Sequence, residues 1–260
     1  MLSELPAHRD LLWLLVVREI RVRYARAALG AAWAVFPPLV MMAVFSVMNF
    51  GRLIDPHSPY ASIPYPVFAF LGLLPWVHFS TSLTQATPSL VLAAAMLKKS
   101  RFPHEAVPIA RVIATLLDFA VGLFVLAGLL AWNNIPIGVE ALAVIPIFGL
   151  QLVFTVGLAL LLSAANMFYR DVNYLLNVGI VLAMFATSVV YPIAVTDPTV
   201  ATVLALNPMS AYLDAYREAL LLGQWPSFET LGPGVLGALL SLVVGASFFA
   251  RCSHRFAEEI

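Results

Sequence analysis

The sequence predicts an all-α integral membrane protein with six transmembrane helices and both termini in the cytosol. Of its 260 residues, 62% are hydrophobic and only 11% charged, and the mean hydropathy is +0.93. Apolar runs of about 20 residues, enough to cross a hydrocarbon core of ~30 Å, recur along the chain. They fall at 31–51, 66–97, 109–132, 139–168, 175–193 and 231–250. Six crossings put the termini on one side, together with Arg9, Arg18, Arg21, Arg23, Arg26, Lys98, Lys99, Arg101, Arg111, Arg170, Arg251 and Arg255. Only Arg52 and Arg217 fall on the other side. Positive loops are retained in the cytosol, which sets the orientation.

Residues 1–30 precede the first span. The apolar stretch LLWLLVV (11–17) is followed by REIRVRYAR rather than by small residues and a cleavage site, so it does not read as a cleavable signal. At 100° per residue Trp13, Val16, Val17, Ile20, Tyr24 and Ala27 share one face, with Arg18, Glu19, Arg21 and Arg26 elsewhere. Such a helix suits the cytosolic headgroup plane, as an anchor or as a dock for a partner. The second span is too long for a bare crossing, at roughly 48 Å for 1.5 Å per residue. Pro75 and Pro88 are expected to kink it, and Pro146 to bend the fourth span.

The loop at 96–108, which ends in KKSRFPHEAVP, holds the chain's two lysines, Lys98 and Lys99, followed by Pro103 and Pro108. Its charge alone explains a cytosolic position; its two prolines imply a stiff, ordered segment. The segment 194–230 is external and carries two helix starts, Asp197 before Pro198 and Asn207 before Pro208, with Gly223 as a stop. The second of these helices places Met209, Tyr212, Leu213, Tyr216 and Leu220 on one face, and Asp214, Arg217 and Glu218 within pairing distance of one another. Both helices are expected on or in the outer leaflet.

Several chemistries are excluded. Neither lysine follows a glycine, so the chain has no phosphate-binding loop of its own, and HExxH, CxxC and GxSxG are absent. His8, His57, His78, His104 and His254 stand singly, which does not suggest a metal site. The single cysteine, Cys252, excludes an intrachain disulfide. Two polar features inside spans remain. STSLTQATPS (80–89) offers seven side-chain polar groups in ten positions, for helix packing or for contact with a polar cargo such as a sugar. Asp118 is the clearest acid within a span; Arg111 lies seven residues earlier on the same face, and another helix could also supply its partner.

The order of these features resembles the membrane-spanning subunits of type-2 ATP-binding-cassette exporters for lipid-linked polysaccharides, those of O-antigen, capsule and teichoic acid. The resemblance covers nearly the whole chain. It is carried by VVREIRVRYARAALGAAWAVFPPL (16–39), GLLPWVHFSTSL (72–83), LKKSRFPHEAVPIARV (97–112), ANMFYRDVNYLL (165–176) and NPMSAYLDAYREALLLG (207–223). His104 stands where the family more often has arginine, and Ala27-Ala28 replaces a hydroxyl-containing stretch.

The resemblance implies a homodimer forming a channel in the bacterial inner membrane, with two cytosolic ATPase subunits that bind ATP and Mg. This chain would carry no cofactor and perform no catalysis, and no nucleic acid is implied. Lys98, Lys99, Arg101, Phe102, Pro103, His104 and Glu105 would form the element coupling it to the ATPase. Arg170 and Asp171 would make a second contact. Trp13, Arg18, Glu19, Arg21 and Arg23 would belong to an interface helix against ATPase and lipid headgroups. Trp33, Phe36, Phe45, Trp76, Phe79, Phe185 and Tyr191 are candidates for lining the sugar path, against packing or interfacial anchoring for each. Tyr212, Tyr216 and Arg217 would mark the external helix (208–222), which with 198–206 caps the outer mouth. Two other readings are a proton-coupled carrier using Asp118 and a drug or small-lipid exporter of the same superfamily.

Overall fold

The computed structural model describes residues 9–25, 30–48, 54–97, 103–190, 204 and 206–256. The described residues contain helices and turns but no strand. Helix α1 (Arg9–Tyr24) leads through a 3₁₀ turn (Gly30–Ala34) to α2 (Phe36–Val47). Then come α3 (Tyr65–Ala86), the short α4 (Ser89–Leu92) and α5 (Ala94–Leu97), α6 (Ala106–Ala114) and α7 (Leu116–Trp132). A second 3₁₀ turn (Val139–Ala143) precedes α8 (Val144–Phe168), followed by α9 (Asp171–Phe185), α10 (Pro208–Leu221) and α11 (Phe228–Ser253).

Four stretches are long and apolar enough to cross a membrane: Tyr65–Ala86, Ala106–Trp132, Val139–Phe168 and Phe228–Ser253. They coincide with the second, third, fourth and sixth predicted spans. Helices α2 and α9, at the first and fifth, have 12 and 15 residues within the described chain. That is roughly 18 and 22 Å of helix.

The second span is not one kinked rod. It ends at Ala86 and resumes as two four-residue helices, broken around Pro88, where proline lacks the N–H that would continue the ladder. The third span breaks where the sequence carries no proline or glycine. Thr115 donates its hydroxyl back to the Val112 carbonyl at 2.6 Å and meets Ser82 Oγ at 2.7 Å, competition that bends helices. In the fourth span Pro146 sits in the first turn of α8, where its missing N–H has no intrahelical partner to lose.

α3 is the core helix. Its residues from Val67 to Trp76 are buried, packed against α7, α8, α10 and residues 189–190. α8 and α11 pack through glycine. A Cβ on Gly245 would stand 2.0 Å from the Gly157 carbonyl oxygen, and one on Gly157 would stand 2.4 Å from the Ser241 carbonyl carbon. Small residues allow that backbone approach in lipid, where dispersion rather than water exclusion joins helices. α1 packs on α6 through Leu15 and Val16 against Ala106, Ala110 and Ala114, all buried.

Candidate functional site

The end of the bundle that carries α1 is the basic end. Two ion pairs fix α1 there. Glu19 pairs with Arg111 of α6 at 2.5 Å, and Arg23 pairs with Asp118 of α7. Arg23 also donates to Gln85 Oε1 of α3, and the Tyr24 hydroxyl donates to the other Asp118 oxygen. Asp118 therefore pairs with another helix, and Arg111 with a different acid. Burial, and then the negative Asp118 it faces, push the Tyr24 hydroxyl up to about 12.

These contacts correct the expected orientation of α1. Glu19 and Arg23 turn inward, leaving Arg18 and Arg21 exposed. Val16, placed with Trp13 on one face, is buried against α6, while Trp13 stays exposed next to Leu14. The alanine stripe of α6 accepts the row Leu15, Val16, Glu19, and a helix packed along that row leaves position 13 outside.

The same end holds Pro103, His104 and Glu105, which lead into α6. Lys98, Lys99, Arg101 and Phe102 lie outside the described residues. Glu105 is buried, with one carboxylate oxygen unpartnered. The His104 ring packs on Phe256 at 5.9 Å between centroids. Phe256, fully buried, also meets Phe168 at 6.0 Å and Phe249 at 5.3 Å. One aromatic cluster thus joins the 103–105 turn, the end of α8 and the end of α11. Arg170 and Asp171 follow two residues after Phe168, exposed, with Asp171 in the first turn of α9, where the helix dipole favours an acid. Burial pushes the His104 imidazole down from 6.5, while Glu105 pulls it the other way.

Between α1, the first 3₁₀ turn, α2, α3 and α7 lies a cavity of about 240 Å³. Arg23, Tyr24, Thr81, Gln85 and Asp118 line part of it, and Trp33, Pro38 and Phe119 another part. In the hydroxyl-rich stretch Ser80, Thr84 and Thr87 donate to carbonyls three or four residues back, while Ser82 reaches across to Thr115.

Of the aromatics proposed for a sugar path, Trp33, Phe36 and Phe185 are exposed and Phe45 is partly buried against the core. Tyr191 lies outside the described residues. Trp76 and Phe79 are in the core, 3% and 7% exposed; Phe79 stacks on Phe154 at 5.6 Å. Neither offers a surface to anything outside the subunit, because the face of α3 that carries them packs on α8.

At the opposite end Asn207 caps α10 as its sequence predicts, accepting from the Met209 N–H at 3.0 Å, and Gly223 takes φ +61° just past the helix. Asp197 and the start of the other external helix lie outside the described residues. α10 does not lie on a leaflet: it is buried on nearly every side. The Tyr216 hydroxyl donates to Gln151 Oε1 at 2.9 Å, and the Tyr212 hydroxyl to the Gly234 carbonyl at 2.5 Å. Arg217 pairs with Asp214 at 3.0 Å, donates to the Val189 carbonyl at 2.9 Å, and lies 4.0 Å over the Phe68 ring, fully buried. Glu218 bonds Thr230 and the Ser227 N–H instead, holding the start of α11.

Phe249, Phe256 and Gln151 were not singled out by sequence, since lone aromatics or a lone amide in apolar runs carry no signal. Glu19 and Arg23 did carry one. Four apart on α1, they carry charges opposite to those of Arg111 and Asp118, which stand seven apart across the break at Thr115.

The comparisons agree with this architecture. The family model described as ABC-2 type transporter matches residues 10–221. The O-antigen export system permease protein RfbA of Myxococcus xanthus is 31% identical over 263 residues, covering 100% of this chain and 99% of that one. A protein of the same name from Klebsiella pneumoniae is 26% identical over 250 residues, covering 96% and 94%. The polysialic acid transport protein KpsM of Escherichia coli is 21% identical over 242 residues, 90% of each. With the model matching most of its length and a 31% identical relative matching all of it, the chain belongs to the membrane-protein family of ABC-2 type transporters.

Proposed function

We propose that this protein is the permease subunit of an ATP-driven exporter that moves an undecaprenyl-diphosphate-linked polysaccharide outward across the bacterial inner membrane. A separate cytosolic subunit hydrolyses ATP. The observation that carries this reading is the full-length similarity to a permease named for O-antigen export. The basic end supports it, because there the 103–105 turn, the residues before Arg170 and the last helix meet in one cluster around Phe256. A push on either cytosolic loop would pass through that cluster into α8 and α11.

In the proposed assembly all six predicted spans cross, both termini are cytosolic, and two copies pair with two ATPase subunits. α2 and α9 carry outward apolar rows, Phe36, Val40, Val44 and Val47 on one and Tyr174, Val178, Val181 and Phe185 on the other. Such rows suit lipid or a second copy. Asp118, held by Arg23 and Tyr24, serves to lock α1, which leaves the proton-carrier reading without support of its own.

The test is reconstitution with its ATPase subunit. ATP hydrolysis is expected to respond to lipid-linked glycan. Lys98→Ala with Arg101→Ala is expected to lower export and complex assembly together. Hydrolysis blind to the glycan, with assembly and export unchanged in the double variant, would reject the proposal.

A further inference from the structure

The fifth predicted span runs to 193, yet α9 stops at Phe185, and residues 186–190 follow in neither helix nor strand. Thr187, Ser188, Val189 and Val190 are no more than 2% exposed. Irregular backbone at membrane depth persists where protein satisfies its polar groups, and here side chains from α3, α10 and the cap of α10 do so. Asn207 Nδ2 donates to the Ala186 carbonyl at 3.1 Å, and an Arg217 terminal nitrogen to the Val189 carbonyl at 2.9 Å. The Tyr65 hydroxyl donates to the Val190 carbonyl at 3.1 Å, and the Ser188 hydroxyl to Asp214 at 3.0 Å. α3 leaves space for these bonds at Gly72. A Cβ there would stand 1.9 Å from the Val189 oxygen and 2.8 Å from the Arg217 guanidinium.

The body of α9 is held differently. None of its 15 residues is buried in the subunit; Leu176, Ile180, Ala183 and Met184 lean on the core, partly buried. Its first residue, Asp171, is exposed at the basic end. α3 and α10, which supply the bonds, are largely buried. Directional bonds thus tie the outer end of α9 to the centre of the subunit, while its length lies along the surface. A continued helix would satisfy the same carbonyls with its own N–H groups and would need no buried charge. A broken backbone held by a fully buried arginine asks for a role beyond packing.

We infer that Arg217 is a positioning residue for export: with Asp214, Asn207 and Tyr65 it fixes residues 186–190 as the pivot on which α9 swings when its cytosolic end is displaced. The inference rests on the exporter reading and adds a moving part to it. Lysine cannot replace the arginine, because one ammonium does not serve a carboxylate and a carbonyl in a fixed fork while lying flat on Phe68. The complete complex of permease and ATPase in lipid nanodiscs is followed by hydrogen–deuterium exchange, without nucleotide and with ATP plus vanadate. Amides of 187–190 should be equally protected in both states, while those of α9 change at least fivefold. Arg217→Lys should speed exchange at 187–190 at least tenfold, leave α8 and α11 unaltered, and lower glycan export at least threefold. Two milder variants keep the test open should that one fail to assemble. Asn207→Asp keeps the acceptor that caps α10 and removes the donor to Ala186; Tyr65→Phe removes only a hydroxyl. Each should lower export at least twofold with ATP hydrolysis at the wild-type rate, whereas a purely structural role would lower assembly, hydrolysis and export together. The pivot is overturned by equal protection of α9 in both states, by a change at 187–190 as large as that in α9, or by normal export in the variants. A wild-type complex that exports no glycan removes the exporter reading instead, and the two-state exchange comparison still decides the pivot.

Discussion

Arg23 shows how one side chain decides the placement of a helix. Its guanidinium engages Asp118 and Gln85 from two different helices, and its own side chain and that of Asp118 are each 17% exposed. A pair this sheltered is poor evidence of net stabilisation, but removing one partner strands the other. We expect Asp118→Ala and Arg23→Ala each to lower stability by about 1–3 kcal/mol. The double variant Arg23→Ala/Asp118→Ala should fall well short of the sum. Thermal unfolding of the purified permease in detergent checks this. Additive losses would mean that the two residues do not act as a pair.

Among elements, α8 and α11 make a close backbone approach. Gly157 and Gly245 leave no room for a methyl group, and the atoms in the way are backbone, which cannot rotate aside. Gly245→Ala should therefore separate the two helices and destabilise the protein by about 1–3 kcal/mol. Gly128→Ala, where a Cβ meets nothing within 4 Å, should be neutral or slightly stabilising through helix propensity. Melting temperatures of the two variants in the same detergent give the comparison. Equal effects would show that close packing does not govern this contact. The same pair of glycines was invisible to sequence reasoning, since Gly157 and Gly245 stand 88 positions apart and neither breaks its helix.

For the whole molecule, the basic end is the point where separate segments become one mechanical unit, and it carries a pH dependence. His104 is pushed down from 6.5 by burial, so the folded protein favours the neutral ring and the unfolded chain takes up the proton first. The stability this ring contributes is complete above about pH 6.5 and is lost as the pH falls toward its lowered value. Melting temperature should thus drop between about pH 7.5 and pH 5.5, and His104→Phe should reduce that drop. An unchanged pH profile in the variant would assign the titration to other groups.

Much of this architecture was legible in advance. Apolar runs separated by charged loops mark the four described stretches long and apolar enough to cross a membrane, because hydrocarbon demands about 20 apolar residues per crossing. Asn207-Pro208 and Gly223 located α10 to within a residue, because capping and positive φ are local chemistry. The break at Thr115, the burial of α10 and the core positions of Trp76 and Phe79 were not legible. Each depends on what stands opposite: Ser82 for Thr115, α8 for Trp76 and Phe79, and Phe68 with Val189 for Arg217. Hydropathy and local capping depend on a residue and its near neighbours in the chain, so the sequence by itself determined the segments, their order and the asymmetry of their charge. Only the tertiary structure decided which side of each helix faces protein, because ion-pair partners such as Glu19–Arg111 and Arg23–Asp118 lie more than ninety residues apart and are chosen by packing.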